Sequence, residues 1–200
     1  KMNWNQVCNG GLLVSALAIA EYDSATAAEI LDGALGSIPA AMEGYKPDGA
    51  WYEGPTYFAY GTTYNALLIE ATRTAVGSAV DWQAVDGYAS LGLSGNFHIQ
   101  TVGPSNYYFN FGDSKDNLYF SPVMFWFSHT YNQPVYAAFE RLLVEHDLPR
   151  MRQGVLMDDD TLDRFFGLLI AWYDNRGQSL GYDDLPLDMH FRGESAVAAM

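Results

Sequence analysis

"LLVSALAIAEYDSATAAEILDGALGSI", residues 12–38, decides the fold. Leu12, Leu13, Ala16, Leu17 and Ala20 return at helical spacing, break at Tyr22-Asp23, and give way to Ala27, Leu31, Ala34, Leu35 and Ile38 at the same spacing. The stretch therefore predicts two amphipathic helices, with the Ser24 hydroxyl capping the second. Joined by so short a break, they form a helical hairpin.

The same pattern continues outward. "GYKPDGAWYEGP", residues 44–55, is dense in Gly and Pro and predicts a loop. After it Tyr57, Tyr60, Tyr64, Leu67, Leu68 and Ala71 line one face of a third helix, which Gly77 ends. Residues 87–100 predict a shorter helix. "GPSNYYFNFGDSKDN", residues 103–117, has no periodicity, and a loop of that length in a compact domain is usually functional. Ser121-Pro122, Pro134 and Asp160-Thr161 each carry a helix-start signal, and His146 is expected to serve a helix C-terminus. The acidic run Asp158 to Asp160 suits the positive end of a helix macrodipole.

Little strand signal interrupts this series until the tail "LPLDMHFRGESAVAAM", residues 185–200, which predicts the start of a β segment. The expectation is an all-α chain, an incomplete toroid or solenoid of antiparallel helical hairpins over 1–188, with 189–200 opening a linker or β domain.

A chain of 200 residues that is 49% hydrophobic and 17% charged can bury a sizeable core. No apolar run is long enough to span a bilayer. The formal charge of −14 repels a nucleic-acid backbone, so nucleic acid is not an expected partner. Aromatic residues make up 15% of the chain, and several fall in loops, which suits neutral or sugar ligands better than phosphates.

Several chemistries lack their motifs. There is no Gly-rich phosphate loop, no GxSxG elbow and no CxxC pair. His98, His129, His146 and His190 are scattered, none with another His at i+4, so no helical metal site is expected. Cys8, the single cysteine, lies beside an apolar helix with no basic neighbour and reads as a small buried hydrophobe.

One cluster stands out. "KMNWNQVCNGG", residues 1–11, sets Asn3, Asn5 and Gln6 around Trp4 with almost no charge. Pattern alone assigns Tyr57, Tyr60 and Tyr64 to the core, since an aromatic stripe usually packs inward. Trp4 and Trp51 are equally open to ordinary packing or to stacking on a sugar face.

These opening residues, with "PDGAWYEGPTYFAYGTTY" (47–64), "GPSNYYFNFGD" (103–113) and "HFRGES" (190–195), resemble the heparinase II/III-like polysaccharide lyases, a group that includes alginate and heparin lyases. The resemblance covers nearly all of the chain. It implies an (α/α) toroid followed by a β-sandwich, of which this chain holds the toroid portion and the passage between the two. It also implies β-elimination at a uronic acid: a base removes the proton α to the carboxylate, amides neutralise that carboxylate, and an acid protonates the departing glycosidic oxygen. On this comparison Asn3 and Asn5 neutralise the carboxylate, with Gln6 third. Tyr60, or Tyr57, is the acid and often the base as well. Trp4, Gln6, Trp51, Glu53, Tyr64, Tyr108 and Asn110 become substrate-binding candidates. The family's usual Asn-His signature has no His here, so the base is open.

A phenol acting as base needs a nearby positive charge, and Arg73 lies over three turns from Tyr60 along the same helix. The implied partner is an acidic polysaccharide or oligosaccharide, in the periplasm or outside the cell. No cofactor is implied for this chain, and a structural metal would belong to the β domain. Two readings of other classes stand beside this one. The first is a non-catalytic glycan-binding helical module. The second is a glycoside hydrolase, for which Asp48 and Glu53 are the carboxylates of the Gly-Pro loop.

Overall fold

The computed structural model describes residues 3–116, 118, 120–152, 160–178, 188–194 and 196–199. Helix α1 (Asn3–Ile19) and α2 (Ser24–Ser37) form the expected hairpin. The cap of α2 differs from expectation: Asp23, not Ser24, sits at the N-cap and its Oδ1 accepts from the Thr26 amide at 3.0 Å. A carboxylate competes well for that place because it meets the positive end of the helix dipole.

The chain then passes through α3 (Pro39–Met42) and a 3-10 turn (Glu43–Tyr45) into the Gly-Pro loop, and α4 (Pro55–Val76) follows with Pro55 at its first turn and Gly77 at its end. Residues 87–100 hold two short helices rather than one, α5 (Tyr88–Leu91) and α6 (Ser94–Thr101). Helix α7 (Val123–Thr130) begins without a side-chain cap. Helix α8 (Pro134–Arg152) runs on past His146 and through Pro149, so His146 does not close it. A proline this near the end removes a bond from the last turn alone. Helix α9 (Asp160–Ala171) starts where expected, while Asp158 and Asp159 lie outside the described residues.

The fold is thus mostly helical with a small antiparallel sheet near the C-terminus. Strand β1 (Met189–Phe191) pairs with β2 (Val197–Ala199), Met189 opposite Ala199 and Phe191 opposite Val197. Phe191 is buried and its ring meets that of Phe97 edge-on at 5.5 Å, which joins the hairpin to the helical core. That core is built around Leu13, Ile38, Met42, Tyr45, Trp51 and Phe58. Cys8 is exposed, contrary to expectation, because α1 turns Asn3, Gln6, Gly10, Leu13 and Ala16 inward and Cys8 falls outside that stripe. The face of α4 that is sealed carries Phe58, Thr62, Asn65, Leu68 and Ile69; Tyr57, Tyr60 and Tyr64 are half-buried beside it.

Helices α1 and α4 lie with their N-termini together and their backbones in near contact. A Cβ on Gly10 would come within 2.6 Å of the Tyr64 carbonyl oxygen, and one on Gly61 within 1.8 Å of Asn3 Oδ1. Gly33 in α2 has nothing within 4 Å of its Cβ position. Two opposite outcomes follow. Gly10→Ala forces the helices apart and costs about 1–3 kcal/mol before Ala's helix preference offsets about 1 kcal/mol of it. Gly33→Ala keeps that preference without a clash and stabilises by about 0.5–1 kcal/mol. Thermal unfolding of the two variants should shift Tm in opposite directions, by roughly 2–4 °C per kcal/mol.

Candidate functional site

The first turn of α1 has no preceding turn to bond its amides, and Glu53 supplies the acceptor. Glu53 Oε2 takes the Asn3 N–H at 2.7 Å and the Trp51 indole N–H at 3.1 Å. Partial burial raises the pKa of this carboxyl, the two donors oppose the rise, and nearby Asp113 adds to it. Glu53 therefore positions a helix end and a tryptophan.

One turn deeper the amides form a buried network. Gln6 is fully enclosed; its Oε1 accepts from Tyr45 OH at 2.7 Å and from Asn65 Nδ2 at 2.9 Å, and Tyr45 OH also lies 2.7 Å from Thr62 Oγ1. Burial drives the Tyr45 phenol above the ordinary tyrosine range, against the pull of those two bonds. Asn3 is buried against Gly61, and its Oδ1 has no hydrogen-bond partner among the described residues. Asn5 turns the other way, with Nδ2 donating to Ser37 O at 3.3 Å and Ser37 Oγ at 3.0 Å, where α2 ends. Asn9 joins that tie through Asn5 Oδ1 and Ser37 Oγ.

Tyr60 sits immediately before Gly61, where Asn3 rests, and Tyr57 sits one helical turn before Gly61 on the α1-facing side. The Tyr60 phenol is reached from α9: Arg164 Nη1 donates to Tyr60 OH at 3.0 Å, and the guanidinium carbon lies 5.5 Å from the ring centre. Arg164 also hydrogen-bonds Tyr64, and Phe165 meets both tyrosine rings. Partial burial raises the Tyr60 pKa, Tyr64 adds to the rise, and Arg164 opposes it without overcoming it. At neutral pH the phenol keeps its proton beside a permanent positive charge. Arg164 was not a sequence candidate, because it stands far along the chain from Tyr60 and only the placement of α9 unites them. Arg73, the cation nearest to Tyr60 along α4, instead donates to Tyr88 OH at 2.5 Å and lies over the Tyr88 and Trp126 rings.

The remaining candidates separate by exposure. Trp51 is wholly buried, packed between Tyr45 at 4.6 Å and Tyr52 at 5.2 Å, so no ring face is open to a sugar and its packing role stands. Trp4 is 70% exposed and offers a free face. The long loop is pinned over the start of α4: Ser114 Oγ accepts from the Thr56 amide at 3.0 Å, and Gly54 lies against the Phe111 carbonyl. Within that loop Tyr108 is buried and Asn110 is exposed, as are Tyr107 and Phe109. Asp48 is engaged by Arg192, whose amide donates to Oδ2 at 2.8 Å, so Asp48 and Glu53 serve separate structural partners. Among the described residues no three His, Cys, Asp or Glu side chains are grouped to hold a metal ion, and no helix is long and apolar enough to cross a membrane.

The amides therefore hold the fold at different depths, which mutation separates. Gln6→Leu leaves Asn65 Nδ2 without its acceptor and removes one of the two partners of Tyr45 OH, at about 2–4 kcal/mol. Asn5→Ala breaks a half-exposed tie worth about 1 kcal/mol. Denaturant unfolding should rank the two variants in that order.

No protein-family model matches this sequence, and no curated protein matches it.

Proposed function

We propose that this chain is the helical, toroidal portion of a polysaccharide lyase that cleaves a uronic-acid-containing glycan by β-elimination, in the periplasm or outside the cell. The observation that carries the reading is the Tyr60–Arg164 pair: a half-buried phenol with a guanidinium on its oxygen, one residue from the Gly61 surface against which Asn3 lies.

In the proposed reaction the proton α to the substrate carboxylate leaves as H+ to a base. The C–H electron pair forms the new double bond, and the bond to the glycosidic oxygen breaks with its electrons on that oxygen. Tyr60 serves the last step as acid, since burial holds its proton until a stronger base presents itself. The phenolate then formed faces Arg164 Nη1, which makes the loss of the proton less costly. The proton that the base took from carbon then returns to the Tyr60 phenolate, so that the net transfer is one proton from carbon to oxygen with no gain or loss. Asn3 neutralises the substrate carboxylate as charge builds on it, and Asn5 could join it only by leaving Ser37. In a chain of charge −14, Arg164 also supplies local attraction for a polyanion.

A specific observation favours a second reading, a glycan-binding helical module without catalysis: the Asn5 amide is committed to Ser37, Gln6 is sealed, and residues 1–11 contain no His. One experiment separates the two. The protein is incubated with a panel of acidic polysaccharides while the ultraviolet absorbance of the unsaturated product is followed. The lyase reading expects turnover that falls by about 10²–10⁴ in Tyr60→Phe. Undiminished turnover in that variant removes Tyr60 from the mechanism, and binding without product from any glycan establishes the module.

A further inference from the structure

Besides its ties to α4, the long loop between α6 and α7 meets one buried pair, through the Tyr108 ring on the α6 side and the Ser121 amide on the α7 side. On the α6 side stands His98, three residues before Thr101, whose carbonyl accepts from the Phe109 amide at 2.7 Å. On the α7 side the Ser121 amide donates to Glu140 Oε1 at 2.7 Å. His98 and Glu140 are both fully buried, and His98 Nε2 stands 3.8 Å from Glu140 Oε2. Neither of those atoms, nor His98 Nδ1, has a hydrogen-bond partner among the described residues. Three unsatisfied polar atoms in one enclosed place are costly, and a shift of under an ångström would join two of them.

What surrounds the pair is aromatic. Phe58 of α4 stacks on the imidazole at 5.7 Å, Tyr108 of the loop meets it edge-on at 5.8 Å, and Phe139 of α8 does so at 5.9 Å. The Tyr108 phenol is the other titratable group among these ring contacts. A proton on Oε2 can be donated to a neutral Nε2, leaving no net charge in the site. Without that proton a carboxylate is buried among aromatic rings with a single backbone donor.

We propose that His98 and Glu140 form a proton-controlled latch that seats the long loop, closed when Glu140 carries its proton and His98 is neutral, and opened when Glu140 loses the proton to solvent. The reaction is a one-proton release in one direction and a one-proton uptake in the other, with no other bond changed. It is independent of the lyase reading, since it concerns only how the loop is held.

The sign of the pH dependence follows from burial. Burial lifts the Glu140 carboxyl from 4.5 to about 8, so its contribution to closure is complete below 4.5 and lost as pH rises towards 8. Burial lowers the His98 imidazole from 6.5 to about 3, so its contribution is complete above 6.5 and lost as pH falls towards 3. The two slopes cancel between 4.5 and 6.5, and above 6.5 the carboxyl acts alone.

Amide hydrogen exchange of residues 103–116, corrected for intrinsic rate, tests the latch. The opening equilibrium should rise about tenfold per pH unit between 6.5 and 8 in the native protein, and stay level over that range in Glu140→Gln. Equal pH dependence in both proteins, or none in the native one, overturns the proposal. Should Glu140→Gln fail to fold, carbon-13 NMR of the glutamate carboxyls in the native protein decides instead. The Glu140 carboxyl titrating above 6.5 together with the amide signals of residues 103–116 upholds the latch, and its titration near 4.5, or apart from those signals, overturns it.

Discussion

The near contact of α1 with α4 is the constraint on which the rest of the structure depends. Two glycines make the approach possible: Gly10 lets α1 rest on the backbone at Tyr64, and Gly61 leaves room for the Asn3 and Gln6 side chains against α4. At that distance the polar groups between the helices have no access to water, so they must find one another. Gln6 does this with one oxygen that accepts from Tyr45 and Asn65 at once. The same approach brings the first turn of α1 to Glu53 and lays Asn3 on the residue after Tyr60. Any chemistry at Tyr60 therefore inherits its geometry from a helix contact rather than from a loop.

Helices α1, α2, α4, α8 and α9 were legible because their start signals and apolar spacing are local properties. The half-burial of Tyr57, Tyr60 and Tyr64 was not. Their stripe has the spacing of a core face, but the more strongly buried stripe contains Thr62, Asn65 and Thr72, whose polarity conceals it from any hydrophobic count. The amide cluster was legible as a cluster, and its division was not: Asn5, Gln6 and Asn3 meet Ser37, Tyr45 and Gly61, which come from three different elements. Trp51 failed as a sugar platform for a similar reason, since a Gly-Pro loop that looks exposed is here folded back on Tyr45 and Tyr52. Arg164 and the His98–Glu140 pair have no local signal at all, because their partners are brought near only by the packing of distant helices.

Burial alone does not decide the state of a carboxyl, as two cases in this chain make plain. Asp174 is buried, which by itself raises its pKa, yet Arg176 through its guanidinium and amide, and Ser128 through its hydroxyl at 2.5 Å, hold it well below the ordinary carboxylate range. Arg141 completes that clip by donating to the carbonyls of Asp174 and Arg176, which fastens the segment after α9 to α8. Glu140 is more deeply enclosed and has one backbone donor, and there desolvation wins. Charge-assisted donors set against desolvation separate a structural anchor from a group poised to exchange a proton.

The same competition bears on Tyr60. Desolvation and Tyr64 outweigh Arg164, so the phenol rests with its proton on. In the proposed reaction a substrate carboxylate entering nearby would raise the phenol's pKa further, because a second negative charge makes the phenolate less favourable. Amide neutralisation then acts twice. It lowers the energy of the carbanion that forms next to the carboxylate, and it removes the repulsion that would otherwise keep Tyr60 from becoming a phenolate. Asn3 and Arg164 are thus coupled through the substrate: the amide bears the charge on one side of the reacting carbon and the guanidinium bears it on the other. Loss of either would raise the same barrier, so their double substitution should cost less than the sum of the two single ones.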